Sequence, residues 1–157
     1  MKLYKKINRI LEISLIALMS ILVVDVLWQV FSRYVLSSPS SFTDELAGYL
    51  LIWVSLLGAA YVAGRQEHLA IDLLLQRSKP KRQYILKIFI QAVILGFALT
   101  VMVVGGSWLV YTRFYLDVKS AAIQLPLGYV YIVLPLSGLL ICYFSIFNLV
   151  NIVKNKL

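Results

Sequence analysis

The sequence predicts an all-α integral membrane protein with four transmembrane helices and both termini in the cytoplasm. Three observations predict it: a composition too apolar for a water-soluble domain, four apolar runs of spanning length, and a one-sided distribution of Lys and Arg. Of 157 residues, 61% are hydrophobic and 14% charged, with a mean hydropathy of +0.87. Soluble domains are nearer half apolar and a quarter charged, and one water-facing core of this length cannot hide so much apolar surface. The length suits a single membrane domain, 1–157.

The apolar runs cover about 10–30, 46–63, 85–111 and 128–153. At 1.5 Å rise, roughly 20 helical residues cross a hydrocarbon core of about 30 Å. Backbone groups in lipid need partners within their own segment, so each run should be helical. The second run is slightly short and should stand upright; the third and fourth are long enough to tilt or project. Lys2, Lys5, Lys6 and Arg9 precede the first run, as in a signal peptide. The run continues to Val30 with no small-x-small cleavage site after it, which predicts a retained helix.

Orientation follows from the cations. The N-terminal stretch, the connection holding Arg65, Arg77, Lys79, Lys81, Arg82 and Lys87, and the C-terminal Lys154 and Lys156 together carry twelve. The other two connections carry only Arg33, Arg113 and Lys119. Positive charge stays on the cytoplasmic side, so both termini should face inward. Trp28, Tyr34, Tyr49, Trp108, Tyr111, Tyr115, Tyr129 and Tyr131 then fall near the outer surface, with Tyr4 and Tyr84 near the inner one, where amphipathic rings prefer to lie.

The connections carry their own punctuation. Ser37-Ser38-Pro39-Ser40-Ser41 is rich in turn formers. Ser41 and Asp44 have capping-box spacing, and Asp44 and Glu45 suit the positive end of the second helix dipole. Pro126 and Gly128 mark the entry to helix four, and Pro135 should bend it. The inner segment from His68 to Leu75 is too apolar for a solvated loop and too short to span. It is either a short interfacial helix, with Arg77 to Arg82 toward lipid headgroups, or an extension of helix two.

The charge pattern argues against nucleic acid, because the cations flank apolar runs instead of forming a basic face on a soluble module. The lone Cys142 lies in an apolar run, and His68 is the one histidine, so a Cys/His metal site within this chain is not expected. No phosphate loop, nucleophile motif or metal-ligand spacing appears, and an enzyme is not expected. Asp25 is the one ionisable residue well inside a predicted span, with Gln29 and Ser32 at i+4 and i+7. A central charge costs about 2.5–3.5 kcal/mol on insertion scales. It invites a proton-relay reading, against the plainer one that Asp25 lies in the outer third and bonds to a neighbouring helix or subunit. Small residues recur as stripes: Ser55, Ala59 and Ala63 on helix two, with Gly58 and Ala60 beside them; Gly96, Thr100 and Gly105-Gly106-Ser107 on helix three; Ser137, Gly138, Cys142 and Ser145 on helix four. Such stripes let helices approach closely, within the chain or against a partner.

The stretch from Phe42 to Trp53, running on through Leu57-Gly58-Ala59-Ala60-Tyr61 and Arg65-Gln66-Glu67-His68-Leu69-Ala70-Ile71-Asp72, resembles the small (Q-type) membrane subunit of tripartite ATP-independent periplasmic (TRAP) transporters. That family shows an aromatic-x-acid-Glu start to helix two, a mid-helix Trp, Gly-Ala-Ala near its end, and an Arg-x-x-His-x-x-x-Asp-like inner segment. Arg33-Tyr34, the chain length and the four spans also fit. Phe42 departs from the Trp common at that position, keeping an interfacial aromatic without an indole donor. The resemblance implies a large membrane subunit that carries the sodium and substrate sites, so no cofactor is expected here. It also implies a periplasmic solute-binding protein that captures an organic acid of the dicarboxylate or sialic-acid class. The small subunit would brace the immobile scaffold of the large one, in contact with lipid and with no nucleic acid. On that basis Arg33, Asp44 and Glu45 are candidates for an outer docking surface. Arg65, His68 and Asp72 would fix the inner segment, and Trp53, Gly58 and Ala59 would pack on a helix. The rivals are a membrane anchor of a redox enzyme complex, which would need His68 near haem or quinone, and a self-assembling exporter dependent on Asp25.

Overall fold

The computed structural model describes residues 2–38, 40–65 and 80–154. Within them the chain is helical, with no strand beyond an isolated antiparallel bridge between Lys119 and Pro126. Four helical stretches are long and apolar enough to cross a membrane: Leu3–Tyr34, Ser41–Arg65, Arg82–Tyr115 and Leu127–Lys154.

The first stretch is one helix, α1 (Lys2–Tyr34), and the second is α2 (Ser41–Arg65). Both outrun the apolar runs that announce them, because charged and aromatic residues at the ends extend the helix past the hydrocarbon. At 25 residues α2 is not short. Its start departs from a capping box: the Ser40 carbonyl accepts from the Thr43 hydroxyl at 3.0 Å and the Asp44 N–H at 3.4 Å, while the Asp44 side chain turns to α1.

The third stretch is α3 (Pro80–Phe97), a π-helical segment (Ala98–Gly105) and α4 (Gly106–Tyr115). In the π segment the backbone bonds reach five residues back, as the Gly106 N–H does to the Val101 carbonyl. The Thr100 hydroxyl donates to the Gly96 carbonyl at 2.7 Å at the entry to this widened turn.

The fourth stretch breaks into α5 (Leu127–Tyr131) and α6 (Val133–Lys154) at Ile132. Pro135 explains the break. It has no N–H to give the Tyr131 carbonyl four residues back, and its ring crowds that carbonyl. The ladder resumes with the Leu136 N–H on Ile132, 3.2 Å.

Spatially, α1 packs on α2, α2 on α6, and α6 on α3 and the π segment. One core cluster joins Ala60, Ala63, Ala98, Met102, Ile141 and Cys142; another joins Leu11, Leu57, Val133 and Phe144. Close approach of backbones requires glycine at Gly138, where a Cβ would lie 2.7 Å from the Cβ of Met102. Both termini lie at one end, where the Tyr4 ring meets Phe144 and Phe147. This is the terminal end; the connections 35–40 and 116–126 form the opposite, loop end.

Candidate functional site

The loop end is organised around Glu45, near the start of α2. Its carboxylate accepts the Ser120 hydroxyl and three successive backbone N–H groups, those of Ala121 at 3.0 Å, Ala122 at 3.1 Å and Ile123 at 3.2 Å. Such charge-assisted bonds are roughly twice as strong as neutral ones. They hold a connection that folds back on itself through Ser120 N–H to Leu125 O and Leu127 N–H to Val118 O, both 2.9 Å. Asp117 and Gln124 sit at φ of 44° and 59°, in the left-handed region. Glu45 thus engages both oxygens with its own chain.

Asp44, one residue earlier, faces α1. Its Oδ1 accepts from the Gln29 amide, and its Oδ2 lies 4.0 Å from Arg33 Nη2. The Arg33 and Asp44 side chains are 53% and 49% exposed, a setting in which an ion pair contributes little. Trp53 reaches across to the fourth span: its indole N–H donates to the Val130 carbonyl at 3.1 Å, tying α2 to α5.

At the terminal end side chains of neighbouring helices reach the carbonyls of the last described turn of α2. The Tyr4 hydroxyl donates to Gly64 O, as does the Asn8 amide at 3.5 Å; the Asn148 amide reaches Ala63 O at 3.4 Å. Side chains of α1 and α6 therefore bind the last described turn of α2. Arg65, its last residue, places its guanidinium 5.0 Å from the centre of the Tyr61 ring. His68 and Asp72, and the whole inner segment from His68 to Leu75, lie outside the described residues.

The small-residue stripes divide. Ala60, Ala63 and Gly64 face inward, as do Ser137, Gly138, Cys142 and Ser145. Ser55 and Ala59 are exposed, and a Cβ on Gly58 would meet nothing within 4 Å. On α3, Gly96 is equally open. Among the described residues nothing covers these faces. Asp25 is buried, 7% exposed, and its Oδ2 has no hydrogen-bond partner.

Arg33, Asp44 and Glu45 are thus brought together at the loop end, Trp53 lies between helices, and Gly58 and Ala59 share an open face. Sequence reasoning placed the Tyr4 ring at the inner interface but did not reach its hydroxyl bond to α2, nor the roles of Asn8, Asn148 and Ser120. An amide in an apolar helix end is a signal for the two Asn residues; nothing in the local sequence around Ser120 points to Glu45. No group of three or more His, Cys, Asp or Glu among the described residues is placed to hold a metal ion. The polar contacts of Glu45, Asp44, Trp53, Tyr4, Asn8 and Asn148 each join one helix to another helix or connection.

A chain of this design is a multi-pass membrane protein of few, closely packed helices with open faces. It belongs to the DctQ component family of the tripartite ATP-independent periplasmic transporters, whose model matches residues 7–155. It is 29% identical over 147 residues to a Haemophilus influenzae protein named as a TRAP transporter small permease, covering 92% of this chain and 88% of that one. It is 28% identical to the sialic acid TRAP transporter small permease protein SiaQ of Vibrio cholerae, covering 83% of this chain and 79% of that one. It is also 28% identical to the C4-dicarboxylate TRAP transporter small permease protein DctQ of Rhodobacter capsulatus, over 64% of this chain and 44% of that one. The chain is a small TRAP permease subunit, a transporter component of the bacterial inner membrane.

Proposed function

We propose that this chain braces a large membrane subunit and carries no solute site of its own. The observation that carries the reading is the division of its surfaces. Polar groups at both ends of α2 are engaged in holding this chain together, whereas the face with Ser55, Gly58 and Ala59 and much of α1 and α3 are left open. A rigid unit with bare, close-approach helix faces suits a scaffold against which another subunit moves. The transported solute is an organic acid, captured by a periplasmic binding protein and moved with sodium by the large subunit; sialic acid and C4-dicarboxylates are the solutes in the names of two relatives. Both termini face the cytoplasm, as the distribution of cations requires. The loop end then faces the periplasm, where exposed Arg33 and Asp44 offer a polar contact for the binding protein.

The test is gentle extraction of the C-terminally tagged chain from its native membrane and identification of what accompanies it. A large polytopic membrane protein in fixed ratio, without haem or flavin, is the expected result. A cofactor-bearing soluble enzyme in its place would replace this reading with a redox anchor.

A further inference from the structure

Between the loop-end halves of α1 and α2 runs an open groove of about 520 Å³, lined by Ile21, Val24 and Trp28 from α1 and by Phe42, Thr43 and Leu46 from α2. Asp25 lines the same groove. It is 7% exposed, and its Oδ2 has no hydrogen-bond partner. The donors nearby are committed elsewhere. The Thr43 hydroxyl donates to Ser40 O at 3.0 Å, the Ser20 hydroxyl to Ile16 O at 2.8 Å, and the Gln29 amide to Asp44. Arg33 faces Asp44. Buried charges in membrane segments are paired, and this carboxylate has no described partner in its own chain.

We infer that a transmembrane helix of the large membrane partner seats in this groove and presents a Lys or Arg side chain to Asp25. The inference rests on the proposed bracing role. Depth selects the occupant. Asp25 precedes the end of the apolar run at Val30 by five residues, about 7 Å along the axis at 1.5 Å per residue, with the polar end of α1 to Tyr34 beyond it. A lipid amine at the membrane surface stays above that level. A second copy of this chain fits no better, because no Lys or Arg of a described span lies at that depth: Arg33 and Arg113 are near the loop end, and the others flank the terminal end. A basic side chain carried on an apolar helix satisfies both the carboxylate and the groove. Oδ2 is covered in the isolated chain, so pairing requires Asp25 to turn toward the groove, whose rim residues Trp28 and Phe42 are exposed. Side-chain rotations of this kind are common at interfaces.

The test uses the complex extracted from its native membrane, with wild type, Asp25→Asn and Asp25→Glu. A photo-crosslinking amino acid is placed in turn at Val24 and at Trp28. The expected adduct at both positions is with the large membrane protein. Asp25→Asn should weaken retention of that protein by about 3- to 20-fold, the range for a polar contact between membrane helices. Asp25→Glu should restore most of it, and the melting temperature of the free Asp25→Asn chain should equal or exceed that of wild type. Adducts with lipid or with a second copy, or full retention in Asp25→Asn, overturn the inference and leave the bracing role standing. A free Asp25→Asn chain that melts lower also overturns it, since Asp25 would then be structural. If the wild-type chain brings no large membrane protein with it, the bracing role fails and this inference fails with it.

Discussion

The first and fourth spans are almost equally apolar, yet they live in different surroundings. Of the most apolar window, 44% is buried within the chain in the fourth span and 11% in the first. Apolarity in a membrane protein answers to lipid, so it does not distinguish a helix that packs from one that is bare. Small residues that admit close approach, set around the buried Phe144, mark the span that packs. The fourth span sets Ser137, Gly138, Cys142 and Ser145 inward against α2, α3 and the π segment. The first covers itself with Ile13, Ile16, Val23, Val24 and Leu27, all exposed. One span supplies much of the chain's own core, and the other packs one side on α2 and turns the rest of its surface outward.

That contrast is broken most severely at Gly138. Replacing it with Leu drives side-chain atoms into Met102, whose Cβ already lies 2.7 Å from an added Cβ. Overpacking of this kind costs about 1–3 kcal/mol or more, and thermal unfolding in detergent should show a lowered midpoint. The matched change on the bare span, Ala17→Leu, should leave the midpoint of the free chain unmoved. Equal effects at the two positions would erase the distinction.

A smaller loss is expected from Trp53→Phe. The ring remains, but the bond to the Val130 carbonyl is gone, a net cost of about 0.5–1.5 kcal/mol measured in the same way. Glu45→Gln tests the tie between α2 and the connection that precedes the fourth span. Amide exchange at Ala121, Ala122 and Ile123 should accelerate while the α6 core stays protected, since those three N–H groups lose a charged acceptor. The smallest effect is expected at the exposed Arg33–Asp44 pair, where Arg33→Ala should change stability by under about 1 kcal/mol. A larger change would mean the pair holds the loop end together.

Much of this was legible in the sequence. Four spans follow from hydropathy, and the break before Pro135 from its missing N–H. The small residues of helix four mark a packing face. The same inference from Ser55, Gly58 and Ala59 yields a face that no described residue covers, because a small-residue stripe does not say which helix will meet it. The π segment was not legible, since Ala98–Gly105 is ordinary apolar sequence and a widened turn leaves no composition signal. Glu45 was read for its charge at a helix start. Its partners lie more than 70 residues away, and only the fold brings the Ser120–Ile123 amides to it. The bonds of Tyr4, Asn8 and Asn148 escaped for the same reason, as each goes to a helix to which the residue does not belong.

The central claim is that this chain supports transport without carrying solute. Proteoliposomes holding the large membrane subunit, with binding protein, sodium gradient and radiolabelled organic acid outside, should take up solute only when this chain is present. Vesicles holding this chain alone should take up none. Uptake by the chain alone, or undiminished uptake in its absence, would contradict the account.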